Sequence, residues 1–275
     1  MKLPSTWLLI LPLICSSLLS FKPLHAAHWD QSLGVLARVV PFGMAGVAEL
    51  GWNSLLWGER GGPGSFRYGY LRLAARYAGS GFANRGDLTA TVSPMAPLAV
   101  DLGLTARLRL IREFATVDCT GLQCQGLLYG SFVRARTLVG FGGAFLLGVA
   151  TLEHLSPQIT TEGASPVFVD EQSALRGGDP TGRLKGDFRQ ETFLLAGVSV
   201  KPGWSTGWMH QQSRMIRLDQ SNQLDVLFVR HDLQGSWKNW HLTAGAGLYR
   251  SSTYPTGPSA VVRWEWNDDQ SLELR

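Results

Sequence analysis

Eight arginines and five carboxylates share one side of an alternating sequence: Arg72, Arg76, Arg107, Arg109, Arg134, Arg136, Arg189 and Arg263, with Glu49, Asp87, Asp101, Glu191 and Glu265. In an extended chain, residues i and i+2 point the same way. Arg107 with Arg109 and Arg134 with Arg136 are therefore pairs on one face, and Arg72 with Arg76 is a wider pair. The segments carrying Arg107 and Arg134 follow one another, so their pairs should adjoin. Such a set supports two chemistries. Guanidinium groups in excess along a confined passage concentrate anions and exclude cations. The same groups paired with carboxylates brace a closed interior. Both readings stand at this point.

Other constellations carry less. Gly203-Trp204-Ser205-Thr206-Gly207 has nucleophile-elbow spacing, but that motif needs a strand-to-helix turn, and here a strand starts after Lys201-Pro202-Gly203. The candidates for a Ser–His pair acting on lipid are His154, His210 and His231 with Ser213, Ser221 or Ser252. No motif surrounds them, so no catalytic residue is assigned. Arg85-Gly86-Asp87 matches an adhesion tripeptide, yet Asp87 begins a strand with its side chain on the polar face. No H-E-x-x-H or H-x-x-E-H spacing occurs, so neither metal nor cofactor is expected. Gly61-Gly62-Pro63-Gly64 lacks the lysine and helix of a phosphate loop and reads as a turn.

The elements that must position these residues are strands. Val100, Leu102, Leu104, Ala106, Leu108 and Leu110 occupy one parity, and Asp101, Gly103, Thr105, Arg107 and Arg109 the other. This is the period of a strand with one apolar and one polar face. Trp237 to Tyr249, Gly86 to Ser93, Met44 to Ser54 and Tyr70 to Ala78 repeat it. Twelve strands are expected, at about 33–40, 44–54, 66–78, 86–93, 98–112, 127–138, 144–154, 187–200, 204–218, 224–233, 237–249 and 259–266. Connectors at 55–65, 94–97, 139–143, 201–203 and 234–236 are mostly short. Those at 79–85, 113–126, 155–186, 219–223 and 250–258 are mostly longer.

Composition agrees with strands rather than helices. The chain has 275 residues, 45% hydrophobic and 17% charged. Beyond the N-terminus it has no apolar run long enough for a membrane helix. Residues 1–27 read as a signal peptide: Lys2 leads, Trp7 to Leu19 is apolar, and small residues precede a cleavage site near Ala26 or Ala27. Residues 28–275 then form one domain. The formal net charge of +4 is too mild for nucleic acid. Export permits a disulfide between Cys119 and Cys124, whose spacing suits a small loop closure.

The polar face decides the class. It is rich in Gly, Ser, Thr and Arg, whereas only Lys185, Lys201 and Lys238 remain after the leader, all in or beside turns. Soluble sheets carry Lys and Glu on their strands. Small residues mixed with Arg and acid suit the interior of a barrel whose apolar face meets lipid. Over residues 31–266 the sequence resembles the outer-membrane β-barrels of Gram-negative bacteria, on architecture rather than on a family signature. The resemblance implies an all-β fold: a single antiparallel transmembrane β-barrel of about 12 strands. It also implies location in the cell outer membrane, with lipid and the barrel-assembly machinery as partners. Short turns should lie in the periplasm and long loops outside, with the tryptophans gathered near the periplasmic rim. The thirteen charged residues named at the outset become pore-lining candidates. The expected function is a narrow passive pore preferring small anionic solutes, or a closed structural barrel, without catalysis. The alternatives are an outer-membrane lipid-modifying enzyme, or a surface-binding protein acting through loop 155–186. The final residues 267–275 read either as a tail or as a further short strand.

Overall fold

In a computed structural model, the described residues are 25–39, 43–58, 68–80, 83–110, 122–158, 167–170, 172–183, 185–253 and 255–268. Twelve antiparallel strands close into one barrel. They are β1 (His25–Arg38), β2 (Gly43–Gly58), β3 (Tyr68–Gly79), β4 (Ala83–Met95), β5 (Leu98–Arg109), β6 (Gly126–Phe141), β7 (Ala144–Pro157), β10 (Asp187–Lys201), β11 (Trp204–Met215), β12 (Gln220–Asp232), β13 (Trp240–Ser251) and β14 (Gly257–Asn267). Two further short strands, β8 (Phe168–Asp170) and β9 (Leu175–Gly177), form a separate hairpin between β7 and β10. Each barrel strand pairs with its sequence neighbour, β7 with β10, and β1 with β14 closes the circle, Val35 opposite Trp264. Closure leaves no free sheet edge, the condition for a strand structure to cross hydrocarbon. This is the architecture of outer-membrane β-barrels.

Alternation places the apolar parity outside. Leu73, Leu88, Val100, Leu102, Leu104, Val133 and Leu152 are exposed, while Arg72, Asp87, Asp101 and Arg107 on the other parity are buried. The register therefore stands where the sequence puts it, since a one-residue slip would exchange the two sets. Turns use the residues that such turns require: Gly142, Gly143 and Gly203 all take positive φ, a region open to glycine at little steric cost.

Several boundaries differ from the sequence reading. β1 begins eight residues before the expected start, and its first three residues fall within the expected leader. β4 begins at Ala83, so Arg85 belongs to a strand and not to a connector. Residues 1–24, the Pro41-Phe42 corner and most of the tail after Asn267 lie outside the described residues. Trp29, Trp52, Trp57, Trp204, Trp208, Trp237, Trp240, Trp264 and Trp266 all fall toward the end that holds the short turns. Trp240 packs edge-on against Trp264 at 5.5 Å between ring centres.

Candidate functional site

The barrel interior collects the chemistry, in three places. Near the short-turn end, Arg72 on β3 donates to Asp30 at 2.6 and 2.9 Å and to Glu49 at 2.6 Å. Asn53 also donates to Asp30. Gly51 makes room for this guanidinium, because a Cβ there would stand 2.6 Å from Arg72 Nε. Around the wall, Arg136 donates to Asp101 at 2.7 Å, and Arg134 lies 3.5 Å from the same carboxylate. Asp101 and Arg134 are cross-strand partners, but the two arginine pairs do not adjoin as expected: β5 and β6 run antiparallel, so Arg107 and Arg109 stand opposite Leu128 and Gly126.

The third place is the densest. Arg107 on β5 and Arg189 on β10 reach Glu153 on β7 at 2.5 and 2.6 Å. Both also hold Asp170, Arg189 at 2.8 Å. Arg85 binds Asp87 at 2.7 Å and stands 3.8 Å from Glu153. Glu191 approaches Arg189 at 3.3 Å. Asp170 is not on the wall at all. It sits on the β8–β9 hairpin, so a segment of the long loop 155–186 is drawn into the barrel. Ser173 donates to the same carboxylate from both its amide and its hydroxyl. Burial pushes the Asp170 carboxyl upward, but Arg189 and Arg107 outweigh it and hold the group well below the ordinary carboxylate range.

Apolar packing seats the same hairpin. Phe168 and Leu175 are buried with Leu128, Leu155 and Met215. Arg109 completes the seat by donating to the backbone carbonyls of Gln123, Gln125 and Val169 at 2.6, 3.2 and 2.9 Å. It therefore ties two loops to β5, rather than lining a passage as the sequence reading had it. Arg107 and Arg189 are likewise sealed beneath the hairpin. Within loop 155–186 the hairpin residues Phe168 to Asp170 and Ser173 to Leu175 are buried in the barrel, whereas Pro180, Thr181, Gly182, Arg183 and Lys185 are exposed. Cys124 is buried beside this seat and is disulfide-bonded; its expected partner Cys119 lies outside the described residues.

From the hairpin toward the short turns, the interior along β12 is partly apolar. Leu224, Val226 and Phe228 on β12 and Tyr249 on β13 are buried with Phe145, Leu195, Met209 and Val261. The sequence carried a signal for this cluster: Val226-Leu227-Phe228-Val229 breaks the alternation, which means that both faces of β12 meet apolar surroundings.

All thirteen sequence-predicted charges sit on interior-facing positions, with different surroundings. Arg72, Arg107, Arg109, Arg189, Asp87, Asp101 and Glu265 are buried, whereas Arg76 and Arg263 are exposed. The acids that pair with them were partly missed. Asp30 precedes the expected first strand. Glu153 follows Phe145, Leu147 and Val149 on a face that does not read as polar. Asp170 is in a loop with no periodicity. Asp30, Glu153 and Asp170 add three acids to the interior count, and Arg38, Arg85 and Arg230 on the same parity add three arginines. Among the described residues no histidine is hydrogen-bonded to a serine. His210 faces Asp225 at 2.8 Å, and His231 faces the Gly203 carbonyl at 3.0 Å. Nor does any cluster of three metal-ligating side chains occur among them.

No protein-family model matches the sequence, and no curated protein matches it. Among solved structures, the chain is similar to the NanC porin at 6% identity, over 86% of this chain and 98% of that one, with a TM-score of 0.43. It is similar to the anion-selective porin from Comamonas acidovorans at 8% identity, over 88% and 99%, with a TM-score of 0.40. It is also similar to the translocator domain of the autotransporter NalP from Neisseria meningitidis at 10% identity, over 94% and 93%, with a TM-score of 0.40. The likeness is one of architecture.

Proposed function

We propose that this chain is a narrow passive channel of the outer membrane, with a preference for small anions, constricted by the β8–β9 hairpin. One observation carries the preference: away from the buried Arg72 and Arg189, which are less exposed than Glu49 and Glu191, the wall arginines Arg76, Arg134, Arg136 and Arg263 keep more contact with lumen solvent than the carboxylates they face. Arg263 is 59% exposed against 11% for Glu265. Arg136 and Arg134 are 22% and 23% exposed against 0% for Asp101. Arg76 is exposed, and its cross-strand neighbours Glu49 and Asp87 are not. A solute in the lumen would thus meet positive charge first, and in a confined space of reduced dielectric that charge acts more strongly than in bulk water.

The arrangement requires no catalysis. The arginines accept no covalent step; they replace part of the hydration of a passing anion and repel cations. The rival reading is a closed structural barrel. The inserted hairpin and the buried Arg107–Glu153–Arg189–Asp170 cluster favour it. Reversal potential in a salt gradience across a planar bilayer separates the two. Anion preference that falls in Arg76→Gln with Arg263→Gln supports the channel. Absence of any conductance in the wild type supports the closed barrel.

A further inference from the structure

The outer surface of β10, β11 and β12 departs from the rest of the barrel. His210 and Asp225 are cross-strand partners on the lipid-facing parity, 2.8 Å apart. Their ladder neighbours on either side are Leu194 on β10 and Leu248 on β13, both exposed. This hydrogen-bonded pair therefore lies at the depth of the apolar band. The next outward row holds Thr192, Gln212 and Gln223 in direct register, and Gln190 follows on β10. Exposed apolar residues frame the island at both ends: Phe188 and Ile216 toward the long loops, Trp208 and Leu227 toward the short turns. On the opposite wall, β4 and β5 present Leu88, Leu102 and Leu104 to the same surroundings.

Such an island is costly against lipid. Polar groups in hydrocarbon must find partners or forfeit their hydrogen bonds. Asp225 is provided for by His210, Gln223 at 2.6 Å and Arg250 at 3.5 Å. The Gln190 and Gln212 carboxamides are exposed and hydrogen-bond nothing among the described residues. Ionisable residues at membrane depth are rare and mark functional positions.

We propose that this β10–β12 seam is the contact surface for a second copy of the chain, in a two-fold dimer about an axis along the membrane normal. The chemistry of the seam selects that occupant. Arg250 balances Asp225, and Arg214 beyond the glutamine row balances Asp219, so the seam offers no net charge to attract a phosphate or a charged partner. A carboxamide is both donor and acceptor, so Gln190, Gln212 and Gln223 can satisfy an identical set facing them. An axis along the normal keeps both copies in one membrane orientation, and isologous contact requires a self-complementary patch. Gln212 lies on the middle strand, close to where the axis would pass.

The test uses the mature protein refolded into phosphatidylcholine vesicles, with Gln212→Cys and, as a control on the far wall, Leu102→Cys. Oxidation should give a cross-linked dimer from Gln212→Cys and none from Leu102→Cys, and the product should fall as lipid dilutes the protein. Energy transfer between separately labelled wild-type copies should report the same association without any substitution in the seam. It should be lost in a variant carrying Gln190→Leu, Gln212→Leu and Gln223→Leu that still migrates as folded protein. A monomeric wild type at every dilution overturns the proposal, as it would if the seam serves a different protein or lipid. So does equal cross-linking at both positions, or a dimer that survives the three leucines.

Discussion

Replacing Asp170 with asparagine removes the one hairpin charge that faces both Arg107 and Arg189. The side chain keeps its shape, but an amide presents a donor to one guanidinium and a weaker acceptor to the other. Breaking a fully buried ion pair costs about 3–5 kcal/mol. At about 1.4 kcal/mol per tenfold, that shifts the hairpin's seating equilibrium by roughly a hundred- to several-thousand-fold. The barrel ladder does not depend on this contact, so the loss should appear as release of the hairpin rather than unfolding. Buried Phe168 and Leu175 still hold it with roughly 1.5–3 kcal/mol each. The expected result is intermittent opening: single-channel traces that flicker between the wild-type level and a larger one. Adding Phe168→Ala should lengthen the open intervals. Acid should act in the same direction. The Asp170 carboxyl is held below its ordinary value, so its contribution is complete above the unfolded value of about 3.9 and is lost as pH falls through the lower folded value. Wild-type openings should therefore increase only in strong acid. If Asp170→Asn conducts and melts like the wild type, the ion cluster does not seat the hairpin and the reasoning fails.

The other outcomes can be checked on the same refolded protein. Arg134→Gln with Arg136→Gln should move the reversal potential toward cations, more so at low salt, where the Debye length is longer; Arg109→Gln should instead lower thermal stability, because its partners are loop carbonyls. Phe228→Ala should destabilise by about 3–5 kcal/mol, the cost of an aromatic lost from a packed cluster, read as a lower denaturant midpoint. Thiol titration of unfolded, unreduced protein should find neither Cys119 nor Cys124 free, and reduction should cost at most about 2–3 kcal/mol for so short a loop. Brominated lipids should quench the tryptophans most strongly when the bromine sits near the headgroups, because Trp29, Trp57, Trp208, Trp237 and Trp264 are exposed at one rim.

Much of this was legible in order of residues. Period two along Leu98–Arg109 fixes a strand, its lipid side and its register together, because Arg107 or Arg109 turned to lipid would cost roughly 2–4 kcal/mol each at the midplane. The tryptophan positions follow from the same reading, the connector lengths only in part: three residues join β3 to β4, where a longer loop was expected, and nine join β2 to β3, where a short one was. The first strand was legible only in part. His25 to Gln31 joins β1 through pairing with β2, a long-range contact that leaves no alternation in the residues themselves.

What sequence could not decide is which charges meet. Parity states that Arg107 and Arg189 face inward, but it does not say that Glu153 faces them or that β5, β7 and β10 bring the three within 2.6 Å; that depends on curvature around the closed circle. Nor does an aperiodic loop announce that it will turn inward. Asp170 goes there because two buried guanidiniums need a counter-charge and Phe168 and Leu175 need cover, and both needs exist only once the barrel has closed. The wall was determined locally, by the spacing of apolar and polar residues along each strand. The contents of the lumen were decided by charge balance and packing between residues far apart in the chain, which only the tertiary structure brings together.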